Sequence, residues 1–223
     1  MTFVHDASGS ILHSSRAGTG RVLLVDELGA LDALFAPDTV LVALRADPLP
    51  GHEVAALTSR VGRSVRALLP IDVQREDVAA RLELPASSVA SARIVEAIGL
   101  FADLTGAEEV GLRLSVEDRP SCPRFHVDRV ALRAVCVWAG PCTEWVDDSE
   151  VLDRQKLGHG ARGLPDERSG LLREGAVVQS LPLASLAFFK GEAWPGMAGR
   201  GLVHRSPDCR GAVRVMWTLD AVG

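Results

Sequence analysis

The sequence predicts an α+β protein, with a closed or double-sheet β core in its C-terminal half and a mainly helical N-terminal part. Three observations carry this. From Glu109 onward apolar residues alternate, with Val110, Leu112, Leu114 and Val116 on one side of a strand. Further short apolar runs follow, punctuated by Gly and Pro, the pattern of a closed or double-sheet β architecture. Before Gly106, by contrast, Ile94, Ile98 and Phe101 recur at helical spacing. Residues 1–105 are therefore expected to form a mainly helical part packed on a β core of residues 106–223.

Taken in order, residues 1–20 are rich in Ser, Gly and Thr and are expected to be poorly ordered at the start. A short helix is plausible from Asp26 to Phe35, and TVLVALRA (Thr39 to Ala46) reads as a buried strand. Pro48 and Pro50 break the chain. Val54, Leu57, Val61 and Val65 then predict a helix, and a second starts near Ser87 and Ser88, which can cap it, and ends at Gly106. Beyond Glu109–Val116, strands are expected at Phe125–Asp128, Val130–Trp138, Val177–Ser180, Leu183–Lys190, Gly201–His204 and Ala212–Leu219, with a turn at Gly140 and Pro141. Residues 147–175 are polar and Gly-rich and read as a long loop insert. Such a loop inside a compact domain is usually a functional lid or a mobile insert.

The chain has 223 residues, 47% of them apolar, which is enough to bury a core. Its net charge of −5 and pI near 5.7 give no sign of a nucleic-acid surface or a polybasic membrane patch. No apolar run approaches the roughly 20 residues that span a bilayer. The N-terminus lacks the basic and apolar regions of a secretory signal, so a cytoplasmic location is expected. In that reducing setting Cys122, Cys136, Cys142 and Cys209 read as buried thiols rather than disulfides.

The chemistry is concentrated in FHVD. On a strand, positions i and i+2 share a face, so His126 and Asp128 can bind one cation. Imidazole with carboxylate suits iron, zinc or manganese. A third ligand from a distant strand completes the two-histidine, one-carboxylate face with open positions found in non-haem Fe(II) oxygenases. His204 in GLVHRSP, at the end of a short strand, is the candidate. Ten positions later Arg214 lies on a strand expected to neighbour that of His204, and its planar fork suits a dicarboxylic acid. Each residue also has a plainer reading. His126 and Asp128 would form a buried histidine–carboxylate pair, His204 would cap a turn, and Arg214 would pair with Glu109 or Asp220. A closed zinc site of Cys122, His126, His204 and Cys209 is a further alternative. Arg129 and Arg133 read as solvating a face, Lys190, Glu192 and Trp194 as a turn with a packed indole, and Glu144 and Trp145 as neighbours of the metal.

CPRFHVDRVALR, GPCTEW, LGHGARGLPDE and KGEAWPG with GRGLVHRSP resemble the bacterial "domain of unknown function 1826" family over roughly residues 85–220. The order HxD, glycine-rich turn, His, Arg also resembles the Fe(II)/2-oxoglutarate-dependent dioxygenases. That resemblance implies a double-stranded β-helix core, of the jelly-roll or cupin-like kind. It implies Fe(II) on His126, Asp128 and His204, with Zn(II) the rival metal, and 2-oxoglutarate as cosubstrate on Arg214. The sequence departs from the oxygenase pattern in the 76 positions between Asp128 and His204, which the insert at 147–175 would explain. Two rival functions use the same ligands: a non-catalytic metal-binding protein serving zinc homeostasis, and a cupin-like isomerase or hydrolase.

Overall fold

The computed structural model describes residues 21–222. The expected disorder of residues 1–20 lies outside them. A seven-stranded mixed sheet runs in the order β1 (Arg21–Val25), β2 (Thr39–Leu44), β8 (Leu186–Lys190), β5 (Leu132–Ala139), β10 (Arg214–Ala221), β4 (Glu109–Glu117) and β3 (Ser64–Pro70). β1 and β2 are parallel, and every other neighbouring pair is antiparallel. A smaller antiparallel sheet has the order β7 (Val178–Ser180), β6 (Glu144–Val146) and β9 (Val203–Arg205).

Strand alternation gives the large sheet two different faces. On β10, Val215, Trp217 and Leu219 point to one side, with Val110, Leu112, Leu114 and Val116 of β4 beside them. Helices α1 (Gly51–Thr58), α2 (Arg75–Leu82) and α3 (Val89–Thr105) cover that side and form the main core with it. α3 begins where Ser88 Oγ accepts from Ser91 N at 3.1 Å. Glu53 of α1 adds a second cap, its carboxylate accepting from Val89 N and Ala90 N at 2.7 and 2.9 Å. Gly106, at φ +70°, closes the helix in the left-handed region. On the opposite side of the large sheet, β2, β5 and β8 pack through Leu41, Val135, Ala187 and Phe189 against Trp145 of the small sheet. The rest of that face, on β3, β4 and β10, lines a cavity.

The two-sheet β core is thus present, but the mainly helical N-terminal part is not. Residues before Gly106 supply β1, β2 and β3, so the large sheet draws on both sides of the expected boundary. The helix expected through Val65 stops at Thr58, and Ser64–Pro70 pairs with β4 instead. Its apolar residues Val65, Ala67 and Leu69 fit a strand period of two as well as Val61 and Val65 fit a helical one. Asp26–Phe35 contains a 3-10 helix over Leu28–Phe35. The 147–175 insert is organised rather than loose. It holds three 3-10 turns and the short α4 (Asp166–Ser169), closes on itself at Val151–Leu172, and buries Leu171 fully. Among the described residues no helix is long and apolar enough to cross a membrane.

Candidate metal centre and its cavity

The site forms where the chain before β5 meets β9. His126 N donates to His204 O, and His204 N to His126 O, both at 3.0 Å. This reciprocal antiparallel bridge sets the two residues directly opposite, with their rings 4.4 Å apart between centroids. Asp128, two residues beyond His126, comes to the same place. Nε2 of His204 is 3.4 Å from Asp128 Oδ2, and Nε2 of His126 is 3.9 Å from Asp128 Oδ1. The three ligand atoms all lie within 4.8 Å of one another.

Backbone carbonyls fix the imidazole tautomers. His126 Nδ1 donates to Arg124 O at 2.9 Å, and His204 Nδ1 to Leu202 O at 3.0 Å. A carbonyl only accepts, so each ring carries a proton on Nδ1 and turns its Nε2 toward Asp128. Burial pushes the pKa of His204 down to about 4, with Asp128 opposing the shift and His126 adding to it. The ring is therefore neutral near neutral pH, as a ligand must be. Asp128 is also buried, and its Oδ2 accepts no hydrogen bond among the described residues. An orphaned carboxylate oxygen beside two imidazole nitrogens is a costly arrangement that a divalent cation relieves. The donor set of two nitrogens and one carboxylate oxygen fits Fe(II), Mn(II) or Zn(II).

Arg133, read from the sequence as solvating a face, instead holds the other oxygen of Asp128. Its Nη1 donates to Asp128 Oδ1 at 2.7 Å, while Nε and Nη2 grip Asp220 at 2.7 and 2.8 Å. Burial opposes its charge, but the two carboxylates outweigh that and raise its pKa. The clue in the sequence is a lone arginine inside the otherwise apolar LRAVCVWA of β5.

The triad opens on this cavity, of about 470 Å³, over the large sheet. Arg214 lies in its wall, 1% exposed. Its Nε donates to Pro141 O at 3.0 Å and its Nη2 to Thr143 Oγ1 at 2.9 Å. Among the described residues Nη1 meets only Met216 Sδ, a weak acceptor. Neither expected carboxylate partner is there, since Asp220 belongs to Arg133 and Glu109 stands at the far end of β4. Burial is the main influence on Arg214 and lowers its pKa. The tight turn after β5 shapes this wall: a Cβ on Gly140, at φ +78°, would lie 2.8 Å from Arg214 Cα.

The other candidates are dispersed. Cys136 and Cys209 are buried thiols, but Cys122 is exposed, and neither Cys122 nor Cys209 joins the ligand cluster. Glu144 is tied to Arg205 at 2.7 Å, and Trp145 is core. Lys190 is buried, donating to Ala36 O at 2.9 Å with Trp194 5.0 Å away, so KGEAWPG is a packed turn. The insert touches the ligand strands through Asp166. Its Oδ2 accepts from Phe125 N at 2.8 Å and lies 3.3 Å from Arg205, the neighbours of His126 and His204.

Residues 25–220 match the family model described as "Protein of unknown function (DUF1826)". The chain belongs to the DUF1826 family. No curated protein matches the sequence. Among solved structures, a C-terminally truncated Neurospora crassa protein in apo form is similar at a TM-score of 0.52 and 9% identity, over 96% of this chain and 100% of that one. A Pseudomonas putida prolyl-4-hydroxylase gives 0.46 at 13% identity over 88% and 99%. The rice dioxygenase for auxin oxidation gives 0.47 at 17% identity over 87% and 79%. The likeness to the truncated Neurospora crassa protein shows that this DUF1826 chain shares its fold.

Proposed function

We propose that the protein is a non-haem Fe(II) oxygenase using 2-oxoglutarate, or a similar 2-oxo acid, as cosubstrate. The observation that carries this reading is Arg214. It is a buried guanidinium, on the same cavity as the His126–Asp128–His204 cluster, whose polar partners are an uncharged carbonyl, a hydroxyl and a thioether. Glu117, opposite it on β4, favours its charge but makes no hydrogen bond to it, so the buried fork keeps a weakly held N–H that an anion can take. A dicarboxylic acid meets both ends of the cavity, with one carboxylate on Arg214 and the oxo acid end toward the triad. The full-length form of the Neurospora crassa protein has a structure in complex with alpha-KG, which is 2-oxoglutarate.

The chain's own groups would divide the work. His126 and His204 offer Nε2, and Asp128 offers Oδ2. Arg133 keeps Asp128 Oδ1 occupied, so the carboxylate is held in one orientation. Thr143, whose hydroxyl already accepts from Arg214, can donate its own proton to the cosubstrate carboxylate. Phe189 packs its ring 4.6 Å from that of His204 and keeps one side of the ligand dry. Fe(II), when bound with the oxo acid and O2, supplies oxidation of a substrate C–H coupled to decarboxylation of the oxo acid. Anaerobic calorimetry of the Fe(II)- or Mn(II)-loaded protein tests the reading. Metal-dependent 2-oxoglutarate binding is expected. No binding at millimolar cosubstrate would overturn it and leave a metal-binding protein.

A further inference from the structure

Among the described residues, five arginines line the cavity, against Asp220 as its one lining carboxylate. Three are neutralised: Arg133 by Asp128 and Asp220, Arg205 by Glu144, Asp166 and Glu167, and Arg113 in part by Glu117 at 3.4 Å. Arg214 is assigned above to the cosubstrate. Arg66 remains. It stands at the rim on edge strand β3, exposed, with no hydrogen bond or ion pair among the described residues.

Register makes this placement costly. Arg66 is the direct cross-strand partner of Arg113 on the cavity-facing side of β3 and β4. Like charges directly opposite one another destabilise a sheet. Among the described residues no carboxylate pairs with Arg66, while Glu117 reaches Arg113 and also lies opposite Arg214. Two positions along the same face, Leu68 is 52% exposed and lies opposite Gly111, whose missing side chain leaves an apolar shelf. In a chain of net charge −5, a paired cation and an apolar shelf at the mouth of one cavity form a local attractor for anions.

We infer that the substrate is a small organic anion, whose carboxylate or phosphate sits between Arg66 and Arg113 while its apolar part lies on Leu68. This rests on the cavity being the substrate site of the oxygenase proposed above. The cavity volume is that of a small-molecule site. Arg113 spends Nε on Ser115 and Nη2 on Glu117, which leaves its Nη1 and the whole fork of Arg66 for a planar or tetrahedral oxyanion. Arg66 is then the specificity residue: the metal cluster and Arg214 act on the cosubstrate, and the rim selects what lies over them.

The test uses the full chain loaded with Mn(II) and 2-oxoglutarate, and three probes: 3-phenylpropionate, phenyl phosphate and the neutral 3-phenylpropanol. Mn(II)-induced relaxation of the probe protons reports binding near the metal. At least one anionic probe should bind about 10-fold or more tightly than the alcohol, and Arg66→Gln should remove most of that preference. Calorimetry on Arg66→Gln should show unchanged 2-oxoglutarate affinity, which also establishes that the variant is folded. Anions binding no better than the alcohol would overturn the inference, as would a preference that survives Arg66→Gln. If 2-oxoglutarate itself does not bind, the oxygenase reading fails. The same anion comparison on the Mn(II)-only protein then still decides the role of Arg66.

Discussion

His126 and His204 are reciprocal backbone partners, each donating its amide to the other's carbonyl at 3.0 Å. The pairing places the two imidazoles side by side, and Asp128 reaches them by the strand period of two. Three-ligand sites depend on every ligand, because losing one of three leaves a weak, open remainder. His126→Ala or His204→Ala should therefore reduce bound metal from about one per chain to a trace, read by elemental analysis after dialysis. Cys122→Ser should leave the metal content unchanged. Full occupancy in both histidine variants would contradict the site.

Arg133 holds Asp128, one of the three candidate ligands, through its Nη1. Removing Arg133 leaves the buried Asp128 Oδ1 and the partly exposed Asp220 without their donors. Arg133→Ala should weaken metal binding by roughly 10- to 100-fold, the usual cost of losing an outer-shell partner. Arg133→Lys should recover part of the loss. Competition titration against a chelator reads both, and an unchanged affinity in Arg133→Ala would show that the contact is incidental.

The buried neutral state of His204 predicts how the metal-free protein responds to acid. Its pKa falls from an ordinary 6.5 to about 4 on folding. Below 6.5 the unfolded chain gains a proton that the folded chain refuses until near 4. The stability tied to this group is complete above that window and is lost as pH falls through it, by roughly 3 kcal/mol in all. Urea midpoints from pH 7 to 4 should show the decline, and His204→Gln should flatten it. An equally steep decline in His204→Gln would place the acid sensitivity elsewhere.

Much of this site is legible in the sequence because its parts are local or sharply typed. The HxD spacing needs only the strand period, and Ser88 and Gly106 mark the ends of α3 by cap chemistry. The misreadings share a different cause. Ser64–Pro70 is half-exposed and short, so its alternation competes with a helical spacing that begins at Val54. The partner of an edge strand lies some fifty residues away, where no local pattern points to it. Arg133 is underrated for the same reason: Asp220, its main carboxylate, is 87 positions along the chain. Arg66 does not stand out in the sequence at all, because its importance comes from standing opposite Arg113 at a cavity that exists only after the sheet has formed.

On the proposed reading, one cavity holds a metal on His126, Asp128 and His204 and a 2-oxo acid on Arg214. A crystal structure of the Mn(II)- and 2-oxoglutarate-loaded protein tests it most directly, with an anomalous map at the manganese edge. A single strong peak is expected among the three candidate ligand atoms, with the far carboxylate of 2-oxoglutarate paired with Arg214. A peak elsewhere, an empty triad, or a cosubstrate carboxylate held by Arg205 or Arg133 while Arg214 keeps only Pro141, Thr143 and Met216, would contradict it.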